Sequence, residues 1–343
     1  MPLIAVDIMG ADNGEKTIIE GVLEALHFID DNIILVGDEK IIKHILDSFY
    51  FKKKLFKKIE IEHSSQFVTM EDQPIESLRK KTDSSLANGL ELLAKQKAAA
   101  FISAGNTGAF MVTAIKKLGL IEGLERPAIA TLLPNDNNEA TILIDSGANV
   151  DCKPKHLFQF ALMGSVYSQF IFDKAKPKIG LLSIGTEAYK GNEITKQVFE
   201  LLKKSNLNFI GNIEGTDVFK GTADVIVCDG FVGNIVLKIS EQVARTITKY
   251  LKDYLLSSIR SKIGTFIIKP ELKKLRRKIL SEEYGGAPLL GVNGYCIKCH
   301  GSSNATAIKS AILTASRFIE REGLKQIKEI LNKEILNGAL NNV

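Results

Sequence analysis

Short β-branched segments that end in Gly, Asp or Asn constrain the fold most, because they recur along the chain with helical patterns between many of them. Strands buried on both faces form continuous apolar runs, and strand–helix alternation favours a parallel sheet covered on both sides. We therefore expect an α/β fold with a mostly parallel sheet. The predicted strands are 3–7, 33–37, 99–103, 128–133, 141–145, 179–184, 209–213 and 225–228, and the predicted helices are 15–29, 84–95, 107–118, 156–172 and 192–202.

The chain has no internal repeat, no Pro- or Ser-rich linker and no low-complexity tract, so we expect one α/β unit over 1–343. With 343 residues, 45% of them hydrophobic, it differs from disordered, collagen-like and disulfide-stapled proteins. A net charge of +5 is too small for a nucleic-acid-coating protein, so we expect no nucleic-acid partner. The first seven residues show neither a basic leader nor a cleavage site, which predicts a cytoplasmic location.

A strongly basic segment interrupts the alternation. Residues 245–278 contain eleven Lys or Arg against two acidic residues, a net charge of +9, whereas the rest of the chain carries −4. Its apolar residues have helical spacing, and Pro270 with Glu271 predicts the first turn of a second helix. We expect a helical hairpin at 240–283 that contributes dimer and membrane contacts. Its predicted tip, 259–268, contains the apolar residues Ile263, Phe266, Ile267 and Ile268, with basic residues on both sides.

That tip allows three interpretations. It is a solvated charged face over a dimer seam, a surface that docks on an anionic membrane, or a surface that docks on an acidic protein. Adjacent Ile and Phe residues favour lipid.

Common nucleotide, hydrolase and zinc-protease motifs are absent from the sequence. Residues 296–300 match the C-x-x-C-H pattern of haem attachment, but covalent haem usually requires export, and no further zinc ligands follow at matching spacing. The four cysteines are expected to be buried reduced thiols. We expect neither a metal nor another cofactor.

Three loops have the form of an anion site. Residues 103–108 follow a predicted buried strand and open a helix, so backbone N–H groups and the helix dipole face the carboxyl end of that strand. Residues 7–14 and 300–304 have the same strand–loop–helix form, and the three loops converge on one phosphate in this interpretation. A helix cap joined by a tight turn gives the same pattern at 103–108. The candidate phosphate or substrate residues are Asp12, Asn13, Ser103, Gly105, Asn106, Thr107, Gly108, His300, Ser302 and Ser303.

Two further predicted strand ends carry unusual polar groups, Lys190 within 184–193 and Asn234 within 228–234. In an open α/β sheet we expect these ends to share the edge where ligands bind. A solvated lysine at a helix start and an ordinary cap are the alternatives.

Seven motifs in order resemble the PlsX-type phosphate acyltransferases, over residues 4 to about 315. They are AVDIMGADN (5–13), ISAGNTGA (102–109), LGLIEGLERP (118–127), DSGANVDCKP (145–154), NIEG (212–215), CDGFVGN (228–234) and YGGAPLLG (284–291).

The resemblance implies transfer of a long acyl chain from acyl-carrier protein to inorganic phosphate, giving acyl phosphate for phospholipid synthesis without a nucleotide or metal. It implies a Rossmann-like three-layer αβα sandwich similar to that of phosphotransacetylases, in a homodimer at the inner membrane face. It also favours Lys190 and Asn234 as the catalytic pair.

In chemical terms, phosphate attacks a thioester, so the site must hold a dianion near a carbonyl, stabilise the oxyanion and release a thiolate. Lys190 supplies positive charge for the oxyanion or the phosphate, Asn234 is a neutral donor, and His300 is a candidate proton donor to the thiolate. A phosphotransacetylase that acts on short acyl-CoA shares the phosphate loops but does not need the hairpin, whereas a non-catalytic membrane scaffold needs only the hairpin.

Overall fold

The computed structural model describes residues 3–279 and 285–334. The strands are β1 Leu3–Asp7, β2 Asn32–Gly37, β3 Ile59–His63, β4 Ala100–Ser103, β5 Ala128–Pro134, β6 Ala140–Ile144, β7 Ile179–Leu182, β8 Phe209–Ile213, β9 Val225–Val227, β10 Ala287–Leu290 and β11 Cys296–Lys298. The helices are α1 Gly14–Ala25, α2 Glu39–Ser48, α3 Pro74–Lys80, α4 Ser85–Ala94, α5 Thr107–Leu118, α6 Pro154–Phe172, α7 Glu193–Lys203, α8 Gly230–Leu255, α9 Ile259–Ile279, α10 Ala305–Glu320 and α11 Gly323–Glu334. Tyr50–Lys58 and Gly215–Asp217 form 3₁₀ helices.

One sheet contains all eleven of these strands, in the order β3-β2-β1-β4-β11-β10-β5-β6-β9-β7-β8. Strands β3, β2, β1, β4 and β11 are parallel to one another, and so are β6, β9, β7 and β8. The pairs β11–β10, β10–β5 and β5–β6 are antiparallel. The two parallel halves therefore run in opposite directions, because three successive reversals separate them.

The sheet is covered on both faces. Along β1, Ile4 and Val6 join a core with α1, α6 and α10, whereas Ala5 joins a second core with α4 and α5. Along β6, Leu143 faces a third core against which Val236 of α8 packs. This alternation follows from the two-residue period of a strand. The predicted α/β class with a three-layer architecture is confirmed.

Several predicted elements match the structure closely, such as β1, β8 and α5. The apolar pattern did not identify β3, β10 or β11. β3 alternates Ile with Glu at the sheet edge, and β11 has only three residues. Single-sequence periodicity needs longer runs than these to separate a strand from a loop.

The predicted helix start at Pro270 is wrong. α9 begins at Ile259 and continues through Pro270, so the predicted tip, 259–268, is the first half of this helix. A proline inside a helix removes one backbone hydrogen bond but does not always end the helix. α8 and α9 are joined by residues 256–258, and Thr265 Oγ1 donates to the Leu255 carbonyl at 3.1 Å. We call this pair of helices the hairpin. Residues 280–283 of the predicted hairpin lie outside the described residues.

In the part of the chain that the structure describes, no helix combines the length and apolar composition needed to cross a bilayer.

Candidate active site

A cavity of about 1230 Å³ lies between the carboxyl ends of β1, β4 and β11 and the first five turns of α8. Its volume exceeds the usual range for small-ligand pockets. One end is polar and is formed by the loops that follow β1, β4 and β11. The wall that leads away from this end is largely apolar, and includes Leu132, Leu133, Phe219, Phe231, Leu237, Ile239, Val243 and Ile247.

The three predicted loops converge at the polar end. The backbone N–H of Asp12 donates to the Gly301 carbonyl at 2.9 Å. The Asn13 amide donates to the carbonyls of Ser302 and Ser303 at 2.8 and 3.1 Å. These bonds join the loop after β1 to the loop after β11, although almost 300 residues separate them in sequence. α1, α5 and α10 begin at these loops, so the positive ends of three helix dipoles lie at one place.

The buried carboxylate of Asp7 holds the loop after β4 in place at this end of the cavity. The Ser103 hydroxyl donates to Asp7 Oδ2 at 2.8 Å, and the backbone N–H of Gly105 donates to Ser103 Oγ at 3.1 Å. Burial raises the pKa of Asp7 to about 6, against the lowering effect of hydrogen bonds from Ser85, Ser103 and Met9. Ser103 is fully buried and holds the loop in shape, while Gly105 and Thr107 line the cavity.

Asn106 and Gly108 pack against segment 69–74 and so hold the loop after β4 in position. The Asn106 amide donates to the carbonyls of Thr69, Met70 and Asp72 at 3.1–3.2 Å, and its Oδ1 caps α5 by accepting from the Ala109 N–H. A Cβ on Gly108 would lie 2.5 Å from the Pro74 ring, so this glycine permits close packing of α3 on α5. These two predicted loop residues hold neighbouring segments and are outside the cavity lining, as are Asn13 and Ser103.

His300 belongs to a charged network at the polar end. Its Nε2 lies 3.0 Å from Lys238 Nζ, which is the donor when the lysine is charged, and its Nδ1 lies 2.8 Å from Ser302 Oγ. Burial and the nearby charge of Lys238 lower the pKa of His300, while Glu241 opposes the shift. The backbone N–H of Ser302 also donates to Nδ1, at 3.2 Å.

Lys298 also lines the polar end, although its side chain is almost completely buried. Burial lowers the pKa of Lys298 to about 8, while Cys299, Asp7 and Asp12 raise it. Sequence reasoning missed this residue. Its signal was a lysine between Ile297 and Cys299 in a short apolar segment, where an unpaired charge is costly.

The beginning of α8 meets a second buried carboxylate, at the end of β6. Asp145 accepts hydrogen bonds from the backbone N–H groups of Ile129, Gly147, Ala148 and Asn149 at 2.7–3.2 Å. α8 packs against this loop without space for a side chain, since a Cβ on residue 233 would lie 1.9 Å from the Asp145 carbonyl oxygen. Asn234, the next residue, lines the cavity.

Lys190 lies in the loop between β7 and α7, outside the cavity lining. Its ammonium lies 5.7 Å from the centroid of the Tyr189 ring. β7 pairs with β9, so Lys190 and Asn234 do follow neighbouring strands.

The ends of β7 and β9 share one edge of the sheet, as expected, but the loops of the polar end lie at the opposite edge. These strands run opposite to β1, β4 and β11, so their carboxyl ends lie at the other edge. The cavity nevertheless joins the two groups, because α8 crosses the sheet from the Asp145 loop to His300. Asn234 precedes Lys238 by four residues, or about one helical turn.

The cysteines 152, 228, 296 and 299 are all free thiols, and all but Cys152 are buried. Burial raises the pKa of Cys299 to about 11. Among residues 3–279 and 285–334, no group of three or more His, Cys, Asp or Glu side chains is arranged to hold a metal ion.

The family model described as "Fatty acid synthesis protein" matches residues 3–326. The chain belongs to this family. It is 46% identical over 327 residues to a phosphate acyltransferase of Thermoanaerobacter pseudethanolicus, covering 95% of this chain and 96% of the relative. It is 48% identical over 330 residues to a phosphate acyltransferase of Campylobacter jejuni, covering 96% and 98%. The predicted family and enzyme class are confirmed.

Solved structures support the fold. A phosphotransacetylase from Streptococcus pyogenes matches with a TM-score of 0.61 at 18% identity, over 93% of this chain and 94% of that one. A branched-chain phosphotransacylase from Enterococcus faecalis matches with a TM-score of 0.56 at 13% identity, over 92% and 99%. The predicted similarity to the phosphotransacetylase fold is confirmed.

Proposed function

We propose that this protein transfers a long acyl chain from acyl-carrier protein to inorganic phosphate, producing an acyl phosphate for phospholipid synthesis. The observation that carries the proposal is the form of the cavity. Its polar end is built from three helix starts, which suit a dianion, and its large apolar wall suits an acyl chain.

The reaction balances with phosphate and thioester alone. A phosphate oxygen forms a bond to the carbonyl carbon, the carbon–sulfur bond breaks, and the thiolate leaves and takes a proton. The protein must hold the two substrates together, which lowers the entropic barrier, and must stabilise the oxyanion. No activated nucleophilic side chain is needed, because phosphate is the nucleophile.

Asn234 and Lys190 are the proposed catalytic pair. Asn234 lines the cavity and is a neutral donor for the carbonyl oxygen. Lys190 follows the neighbouring strand, and its flexible side chain supplies positive charge to the oxyanion or to phosphate. His300, bonded to Lys238, is the proposed proton donor to the leaving thiolate.

A long acyl donor is favoured over short acyl-CoA by the hairpin and the apolar wall. Five large apolar side chains of α8 line the cavity, Phe231, Leu237, Ile239, Val243 and Ile247, and an acetyl group does not need that surface. The net charge of +9 at 245–278 suits an acidic carrier protein.

A second copy of the chain is the proposed partner of α8. Ile235, Ile239, Val243 and Ile247 repeat every four residues and are all exposed, between 41% and 59%. A continuous apolar stripe of this kind is typical of a helix that packs against another helix. Three of these residues also line the cavity, so a partner helix would close its open side and complete the homodimer.

An anionic membrane is the proposed partner of α9, at the inner face of the cytoplasmic membrane. Ile259, Ile263, Phe266 and Ile267 lie on one side of α9 at helical spacing, and each is more than 60% exposed. Ile268 is also exposed. Basic residues flank this stripe, which is the pattern of a helix that lies in the interface of an anionic bilayer.

An assay with inorganic phosphate and either palmitoyl-acyl-carrier protein or acetyl-CoA tests the proposal. We expect acyl phosphate from the carrier-protein substrate and little from acetyl-CoA. Preference for acetyl-CoA would indicate a short-chain phosphotransacetylase, and no acyl phosphate from any donor would indicate a scaffold.

A further inference from the structure

The Lys298 ammonium occupies an unusual position for a charged group. Its side chain is 7% exposed, yet it lines the cavity beside Gly105, Asp12 and Ser302. Its Nζ donates to the Cys299 carbonyl, which uses one of its three N–H donors. Across residues 3–279 and 285–334, no carboxylate lies within ion-pair distance of this ammonium.

Burial of such a charge requires a reason, because an ammonium removed from water is costly unless it is paired. Asp7 and Asp12 provide negative charge at longer range, and they favour the protonated lysine. A dianion at the polar end of the cavity would stabilise this ammonium directly. It would also meet the positive ends of α1, α5 and α10.

We propose that Lys298 is the residue that neutralises the bound phosphate, which leaves Lys190 to act on the carbonyl oxyanion. The assignment rests on the proposed function for the identity of the anion. It follows from placement, since Lys298 lies where the three phosphate loops converge, whereas Lys190 lies outside the cavity lining.

Isothermal titration with inorganic phosphate in the absence of an acyl donor tests the proposal. We expect Lys298→Met to weaken phosphate binding about 10- to 100-fold, the scale for losing a charge-assisted hydrogen bond. Lys309→Met is the matched control, because it removes a charge from α10 outside the cavity lining, and its phosphate affinity should equal that of the wild type. Unchanged affinity in folded Lys298→Met would overturn the proposal.

Steady-state kinetics give a second measurement that a merely structural role would not reproduce. The phosphate KM of Lys298→Met should rise about tenfold or more, while the KM for the acyl donor stays within about twofold. Equal increases in both constants would contradict the assignment.

If Lys298→Met does not fold, the phosphate affinity of the wild type measured as a function of pH tests the proposal instead. Phosphate affinity should fall as the pH rises from about 8 to 10, because Lys298 loses its proton there while phosphate remains a dianion. The titratable groups that influence Lys298 are Asp7, Asp12, Lys238, Cys299 and His300. Repeating the titration in Lys238→Met removes the other nearby lysine, and an affinity independent of pH in that variant would overturn the proposal.

Failure of this inference is distinguishable from failure of the proposed function. A protein that binds phosphate through Lys298 but makes no acyl phosphate would contradict only the function. A protein that makes acyl phosphate with normal phosphate affinity in Lys298→Met would contradict only the inference.

Discussion

The polar end of the cavity and the hairpin differ from ordinary protein structure in opposite ways. At the polar end, charged groups are buried, since Asp7 is 3% exposed and Lys298 is 7% exposed. On the hairpin, large apolar groups face solvent, since Phe266 is 78% exposed and Ile267 is 72% exposed. Buried charges and exposed apolar groups both cost free energy in an isolated chain, so each region indicates a binding partner. The first suits a small anion, and the second suits an extended apolar surface.

The two regions also differ in how firmly they are held. Several hydrogen bonds connect the loops after β1, β4 and β11 to one another and to segment 69–74. The second half of α8 and all of α9 instead project from the sheet, and the two helices contact each other. Changes at the polar end should therefore affect substrate affinity and stability, whereas changes at α9 should affect only what the hairpin binds.

The largest expected effect concerns the exposed side of α9. Replacing Phe266, Ile267 and Ile268 with Ser should weaken binding to anionic liposomes by about 1,000-fold or more, because each large apolar side chain contributes about 1.5–3 kcal/mol when buried. Sedimentation with liposomes measures the loss, and activity on soluble acyl-acyl-carrier protein should remain. Phe28→Ser removes an exposed aromatic residue from the body of the protein and is the control.

This triple variant also distinguishes the membrane from the dimer. If it still binds liposomes but dissociates to monomers in analytical ultracentrifugation, α9 belongs to the dimer contact and is not the membrane-binding surface.

Asn234→Ala tests the proposed catalytic role of Asn234 in the first turns of α8. Turnover should fall about 100-fold, the scale for losing a positioned oxyanion donor, with the fold intact by circular dichroism. Gln242→Ala removes an exposed amide two turns further along α8, outside the cavity lining, and should leave turnover unchanged. Near-normal turnover of Asn234→Ala would remove this residue from the site.

Lys190→Ala, measured in the same assay, should show a loss of turnover similar to that of Asn234→Ala.

The buried carboxylate of Asp7 should make stability depend on pH. Burial raises the pKa of Asp7 to about 6, so the folded state holds this proton more tightly than the unfolded chain does. Its contribution to stability is therefore present at low pH and is lost as the pH rises through 6. We expect a loss of about 2 kcal/mol between pH 4.5 and 7. Urea unfolding of the wild type and Asp7→Asn measures the difference, and parallel pH profiles would contradict the assignment.

The smallest expected effects distinguish two glycines of the same loop. Gly105 lines the cavity, and a Cβ there would lie 3.4 Å from Ser103 Oγ, so Gly105→Val should raise the phosphate KM about tenfold by blocking approach to the backbone. Gly108→Ala instead presses on Pro74 and should lower the melting temperature with little change in phosphate KM. Reversed results would place the anion nearer to Gly108.

The sequence alone determined the layers of the fold and the three loops that form the polar end of the cavity. Continuous apolar strands and amphipathic helices predict an α/β sheet covered on both faces, because burial on one or both sides of an element is recorded in its local periodicity. Likewise, the loop at 103–108 was identifiable because a short polar segment between a buried strand and a helix places its N–H groups at the strand end.

Tertiary structure alone decided the directions of the two half-sheets and the composition of the site. Strand direction depends on pairings between residues far apart in sequence, such as Leu289 with Ile129. Local sequence patterns do not predict these pairings. The path of α8 across the sheet then brings Asn234 and Lys238 toward His300, and separates Lys190 from the cavity lining. Lys298 became a candidate only when its burial was known, because the cost of a buried charge depends on everything packed around it.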